Sequence, residues 1–316
     1  MKKISFTDVN PLSQKQNLII MKKIKKTIIN KDFILGKDVQ NFESRFSVMA
    51  KLKFSIGCNS GTDALFLSLL ALGVNQSDEV IVPGMSYVAT GLSVVLNNSK
   101  IIFADIDKCT GLICLKDVKK KISKKTKAII PVSLYGQKVD TKRLRRIVGK
   151  KIFIIEDNAQ SHFAYSCFNC KNNRKTCCKK ERNEKYADVS CYSFFPSKNL
   201  GAYGDGGIIS TNNINIYKKL KYLRNLGAIK KNIHTLKGKN SRLDTIQAVV
   251  LNEKLKSVLK LNDQRRKIAK FYDEEFNNFN KVKITITNPG STRHLYVLRV
   301  RNREKLIKYL KKNKIM

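Results

Sequence analysis

Three short stretches of this 316-residue chain combine residue types that can do chemistry. In Ser193-Phe194-Phe195-Pro196-Ser197-Lys198-Asn199-Leu200-Gly201, followed by Gly204-Asp205-Gly206-Gly207, a lysine stands just past a predicted strand and ahead of flexible glycines. Such a lysine forms a Schiff base with a carbonyl compound when its surroundings lower its pKa. Taken alone, Lys198 reads equally as one surface lysine among many. In Ile154-Ile155-Glu156-Asp157-Asn158-Ala159-Gln160-Ser161-His162 an acid ends an apolar, strand-like run. Open parallel sheets place ligands at that edge, and a carboxylate there can hold a protonated pyridine nitrogen. The alternative for Asp157 is a helix cap. In Cys58-Asn59-Ser60-Gly61-Thr62-Asp63-Ala64-Leu65 small and hydroxylic residues open an apolar helix, a pattern that suits a phosphate. An ordinary N-cap explains the same residues.

The intervening sequence supplies the scaffold. Short apolar runs at Glu79–Val82, Ile101–Ala104, Ala128–Val132 and Ile152–Ile155 predict strands. Helical patterns separate them at Asp63–Leu72, Tyr87–Leu96, Leu115–Ile122 and Thr141–Val148. Continuous apolar strands alternating with helices imply a parallel sheet covered on both faces. Two amphipathic basic helices, Leu18–Asn30 and Val39–Ala50, precede this unit. Strands at Val189–Phe194 and Gly207–Ser210 follow it, then a helix at Ile216–Arg224. One long helix is expected from about Leu243 toward Phe271, then a strand at Leu295–Val300 and a basic helix at Glu304–Lys312.

Lys plus Arg number 63 against 24 Asp plus Glu, a formal net charge of +39. The lysines recur in nearly every segment and do not form one block with interleaved aromatics, so the charge reads as solvated faces rather than a dedicated nucleic-acid site. It does favour anionic ligands. The longest mainly apolar run, Ala64–Val74, is too short to span a membrane. No apolar signal core follows Met1, so a cytoplasmic location is expected. Four of the eight cysteines crowd one segment, Cys167, Cys170, Cys177 and Cys178. A CxxC pair could hold zinc, but the second pair is adjacent rather than spaced. A polar surface insert without metal is the expectation.

Taken together, the three stretches describe a phosphate cradle, a ring acid and a Schiff-base lysine. The sequence resembles the DegT/DnrJ/StrS family of sugar aminotransferases, which use pyridoxal 5′-phosphate (PLP), over Ile4 to about Ile315. The resemblance is carried by Asn59–Leu65, Glu156–Gln160, Ser193–Gly207 and Gly238–Asp244 leading to Gln247-Ala248. It implies an aspartate aminotransferase-like α/β fold (PLP fold type I) with a mostly parallel sheet. Residues 1–245 would form a large PLP-binding domain and 246–316 an incomplete small α+β domain. Lys198 would carry the cofactor covalently and then move a proton; Asp157 would pair with the pyridine nitrogen. Gln160 would approach the ring's phenolic oxygen and Tyr87 would stack on the ring. Gly61, Thr62 and Ser193 would hold the phosphate. Asn240 would reach the phosphate site of the neighbouring subunit, which implies a homodimer. His162 is either a cofactor neighbour or a packed side chain.

Relatives with dehydratase activity carry His at the lysine position, so Lys198 favours transamination. The implied substrates are a keto-deoxy sugar on a nucleoside diphosphate and an amino-acid donor, usually glutamate. The product would serve a surface polysaccharide or glycoside. Two departures stand out: a longer Cys- and Lys-rich insert at about 166–185, and a chain that stops at Met316 before the family's usual C-terminal end. The second motivates a competing expectation, a truncated relative that binds PLP or only dimerises, with weak or absent turnover.

Overall fold

The structure, a computed structural model, describes residues 3–165, 183–279, 282–285 and 287–316. The Cys-rich stretch with Cys167, Cys170, Cys177 and Cys178 lies outside the described residues.

Two helices lead, α1 (Gln14–Asn30) and α2 (Lys37–Ala50). Then come β1 (Phe54–Cys58), α3 (Gly61–Ala71), β2 (Glu79–Pro83), α4 (Val88–Leu96), β3 (Lys100–Ala104), α5 (Leu115–Lys121) and β4 (Thr126–Ile129). A short 3-10 turn at Leu134–Gly136 precedes α6 (Thr141–Val148) and β5 (Phe153–Asp157). After the insert run β6 (Val189–Ser193), β7 (Gly207–Thr211), α7 (Ile214–Leu223), and a hairpin of β8 (Ala228–Lys230) and β9 (Ile233–His234). The chain closes with α8 (Thr245–Lys254), α9 (Val258–Phe276), β10 (Val282–Ile284), β11 (Leu298–Val300) and α10 (Arg303–Lys312).

Seven strands form one sheet in the order β1-β7-β6-β5-β4-β2-β3. All run parallel except β7, which is antiparallel to both neighbours. Every residue of β2, β6 and β7 is buried, as a sheet covered on both faces requires. The α3 helix is apolar nearly all round and buries Ala64, Leu65, Leu67 and Leu69 in one core with Val80, Ile155 and Ile209. On another face Phe42 and Phe46 of α2 meet Tyr192 and Phe194 edge-on.

The single long helix expected from Leu243 to Phe271 is in fact two. Past α8 the N–H groups of Lys256 and Ser257 bond to the carbonyls three residues back, which tightens the last turn and redirects the chain. The Ser257 hydroxyl there accepts from Gln16 Nε2 at 2.7 Å, a partner 241 residues away. The expected lone strand near the C-terminus is a β10–β11 pair. Residues 246–316 thus supply most of α8, then α9, this hairpin and α10. Ile315 closes a parallel bridge to Ile4. Among the described residues no helix is long and apolar enough to cross a membrane.

Candidate active site

Sheet register places the ends of the three predicted stretches along one edge. Asp157, the last residue of β5, pairs with Cys191 of β6; Ser193 pairs with Gly207, and Gly207 with Cys58. The carboxyl ends of β1, β5 and β6 therefore share the edge where open α/β sheets bind ligands.

Beyond Cys58 the chain turns into α3. Ser60 caps it, its hydroxyl accepting from the Asp63 N–H at 3.1 Å. The turn lies across β7 and reaches Ser193. A methyl group added at Gly207 would sit 2.3 Å from the Ser60 carbonyl oxygen, and one at Gly61 would sit 2.6 Å from Ser193 Cβ. Both glycines are required by this close approach. The α3 N-terminus, with Thr62, and the Ser193 hydroxyl thus face one space. Free N–H groups and the helix dipole make it suited to a phosphate.

Asp157 is buried. Its Oδ2 accepts from the Thr90 hydroxyl at 2.9 Å and its Oδ1 from the Ala159 N–H at 3.0 Å. Burial raises its pKa; the two hydrogen bonds and the nearby Lys198 charge oppose that rise without cancelling it. Lys198 follows β6 in a turn closed by its N–H to the Phe195 carbonyl at 2.8 Å. Burial lowers its pKa, and Asp157 pulls the other way.

Two histidines share this surrounding. His162 is fully buried against Tyr192 and Phe194. Burial, then the Lys198 charge, hold its pKa down to about 3, against a weaker opposing pull from the Ser193 backbone. His294 is also held to about 3, by burial and the charges of Lys198 and Arg265. Both rings are neutral at working pH. His294 Nδ1 lies 2.9 Å from Asn199 Oδ1. The Asn199 side-chain amide donates to Asn262 Oδ1 at 2.7 Å and the Thr292 carbonyl at 3.1 Å. Asn199 thereby ties the lysine turn to α9 and to the segment before β11.

The structure brings Asp157, Lys198, Gly61, Thr62 and Ser193 to one edge. Gln160 is half-buried beside them, its Oε1 accepting from the Tyr135 N–H at 2.7 Å. Tyr87 is the N-cap residue of α4 and its side chain is largely exposed, at 69%. Asn240 is exposed, on a segment held by the Lys239–Asp63 ion pair (2.5 Å) and by the Asn59 N–H to Ser241 Oγ (3.3 Å). Sequence reasoning missed Thr90 and His294. In the folded chain two of the three histidines, His162 and His294, sense the charge of Lys198.

These groups fit PLP: a buried carboxylate for the pyridine nitrogen, an amine of lowered pKa for the carbonyl, and a glycine-lined helix N-terminus for the phosphate. Residues 15–316 match the profile of the DegT/DnrJ/EryC1/StrS aminotransferase family. The chain is 39% identical over 251 residues to a UDP-2-acetamido-2-deoxy-3-oxo-D-glucuronate aminotransferase of Pseudomonas aeruginosa, covering 79% of this chain and 67% of that one. It is 35% identical over 314 residues to a dTDP-3-amino-3,6-dideoxy-alpha-D-galactopyranose transaminase of Aneurinibacillus thermoaerophilus, covering 99% and 83%. Among solved structures it superposes on S. venezuelae DesV with a TM-score of 0.91 at 29% identity, over 100% of this chain and 83% of that one. A second, NtdA from Bacillus subtilis with bound cofactor PMP, gives 0.89 at 28% identity, over 99% and 71%.

Proposed function

This chain belongs to the DegT/DnrJ/EryC1/StrS aminotransferase family, and on that premise we propose that it moves an amino group from glutamate to a keto-deoxy sugar. The sugar is carried on a nucleoside diphosphate, and the product feeds a surface polysaccharide or glycoside. The enzyme is a PLP-dependent nucleotide-sugar aminotransferase acting in the cytoplasm. When bound, PLP supplies the electron sink that lets an amino group leave one carbon and join another.

The residues divide the work. The α3 N-terminus, Gly61, Thr62 and Ser193 bind the phosphate. Asp157, hydrogen-bonded by Thr90 and Ala159, binds the protonated pyridine nitrogen. Lys198 would hold the cofactor carbonyl and, as a free amine, would move the proton at the reacting carbon. Its lowered pKa supplies that neutral amine nearer to working pH. Gln160 would orient the ring and Tyr87 would stack on it. The neutral rings of His162 and His294 add no second positive charge beside Lys198.

A homodimer completes the site. Val88, Leu92, Val95 and Leu96 of α4, next to Tyr87, are large apolar side chains left exposed in the single chain, which supports a second copy covering them. Asn240 of each copy then faces the phosphate of the other. The net charge of +39 favours capture of an anionic nucleotide sugar.

The observation that carries this reading is the meeting of Asp157, Lys198 and the Gly61–Ser193 cradle at one sheet edge. Borohydride reduction of the PLP-loaded chain should fix the cofactor to Lys198, read by peptide mass analysis. Lys198→Ala should lose that label and at least about a thousandfold in transamination, within the range for a lost general base. A label on another lysine sinks the assignment.

A further inference from the structure

Behind Asp157 lies a lysine that the chemistry above does not use. Lys138, on the loop before α6, is fully buried. Its Nζ is 2.6 Å from Glu156 Oε1, and neither side chain is exposed. The same Nζ donates to Asn158 Oδ1 at 2.8 Å. Two hydroxyls support these acceptors: Ser133 donates to Glu156 Oε1 at 2.9 Å and Ser161 to Asn158 Oδ1 at 2.7 Å.

Successive side chains on an extended strand point to opposite faces. The backbone stays in register through these positions: the Asp157 N–H donates to the Pro131 carbonyl at 2.9 Å and the Asn158 N–H to the Cys191 carbonyl at 2.7 Å. Glu156 and Asn158 therefore share one face and Asp157 takes the other. One ammonium grips the residues on both sides of Asp157 from behind.

Replacing a buried ion pair by apolar residues is often neutral or stabilising. Stability is therefore a poor reason for a lysine here. Electrostatics gives another. Among the described residues, the charged or titratable groups acting on Asp157 include Glu156 on its own strand, Lys198 after β6 and the Cys191 thiol of β6. Glu156 opposes ionisation of Asp157, and a cation on Glu156 offsets that opposition.

We infer that Lys138 is a positioning residue for the cofactor site: by holding Glu156 and Asn158 it fixes the direction of the Asp157 carboxylate. The inference rests on Asp157 being the acid that binds the pyridine nitrogen. Lys138 touches neither cofactor nor substrate; it acts through β5.

The test is a set of PLP titrations followed by absorbance, with a melting curve for each cofactor-free chain. Lys138→Met is made alone and together with Glu156→Gln, and each is made over Asp157 and over Asp157→Asn. The paired variant removes both members of the Lys138–Glu156 ion pair, so it serves even where Lys138→Met alone does not fold. With Asp157 present, the paired variant should weaken PLP binding about tenfold, the low end for loss of a supporting contact to a liganding group. Over Asp157→Asn the same change should cost less than about twofold, because there is no carboxylate left to aim. Equal losses in both backgrounds, or no loss in either, overturn the inference while leaving the role of Asp157 intact. An Asp157→Asn chain that binds PLP as tightly as the parent overturns that role and the inference with it.

Discussion

The Thr90 hydroxyl donates to Asp157 Oδ2 across 2.9 Å, and both side chains are buried. Thr90 lies in the first turn of α4 and is itself 2.8 Å from the Ser86 hydroxyl. The contact favours the ionised carboxylate in a place where burial disfavours it. Thr90→Val keeps the shape and removes the donor. Asp157 should then ionise less readily, and PLP should bind on the order of tenfold more weakly, the scale of one hydrogen bond to a charged group. A titration by absorbance checks this; unchanged affinity would show that Ala159 alone suffices.

The meeting of Asp157, Lys198 and the Gly61–Thr62 turn at one sheet edge was legible in the sequence because each sits in a local pattern. A run such as Glu79-Val80-Ile81-Val82-Pro83 reads as a strand because both its faces are buried. Thr90, Lys138 and His294 were not legible. Their partners lie 67, 20 and 95 residues away, and no local period records such distances. The break between α8 and α9 was hidden for the same reason: its apolar spacing continues through the break, while its anchor is Gln16.

The two buried histidines weaken the fold in acid. Each has a folded pKa of about 3, held down chiefly by burial, against an ordinary value of 6.5. Between those values the unfolded chain binds more protons than the folded one. Stability is therefore full above about pH 6.5 and falls as pH drops toward 3. Each histidine contributes up to about 1.4 kcal/mol per pH unit in that window. The raised pKa of Asp157 acts in the opposite sense and softens the loss. Urea unfolding of the cofactor-free chain at pH 5.5 and 4.5 measures the slope. His162→Phe retains the aromatic packing on Tyr192 and Phe194 and should remove about half of the histidine contribution. An unchanged slope would mean that His162 is already protonated in the folded chain.

The proposed sharing of each site between two copies makes a prediction about mixtures. Lys198→Ala and Asn240→Ala chains should each be nearly inactive alone. After unfolding and refolding together, about half of the dimers are hybrids in which one of two sites has both residues. Activity should return to roughly one quarter of the parent level. No recovery on mixing, with both variants folded and dimeric, would place Asn240 in the site of its own chain or outside the site altogether.

Gly61 separates close approach from backbone strain. A methyl group there would stand 2.6 Å from Ser193 Cβ and 3.1 Å from its Cα. Ser193 ends a wholly buried strand and cannot retreat without disturbing its pairing with Gly207. The α3 N-terminus must lift instead, carrying Thr62 away from the Ser193 hydroxyl. Gly61→Ala should weaken PLP binding by about tenfold or more, since misplacement of about 1 Å is costly at a preorganised site. Gly73, just past the C-terminus of α3, is the internal control. It has φ +71° and nothing within 4 Å of an added methyl group. Gly73→Ala should lower stability by about 1 kcal/mol through backbone strain alone and leave PLP affinity unchanged. Melting curves and PLP titrations of both variants distinguish the two effects. Should Gly61→Ala bind PLP as the parent does, the turn across β7 is not the phosphate cradle.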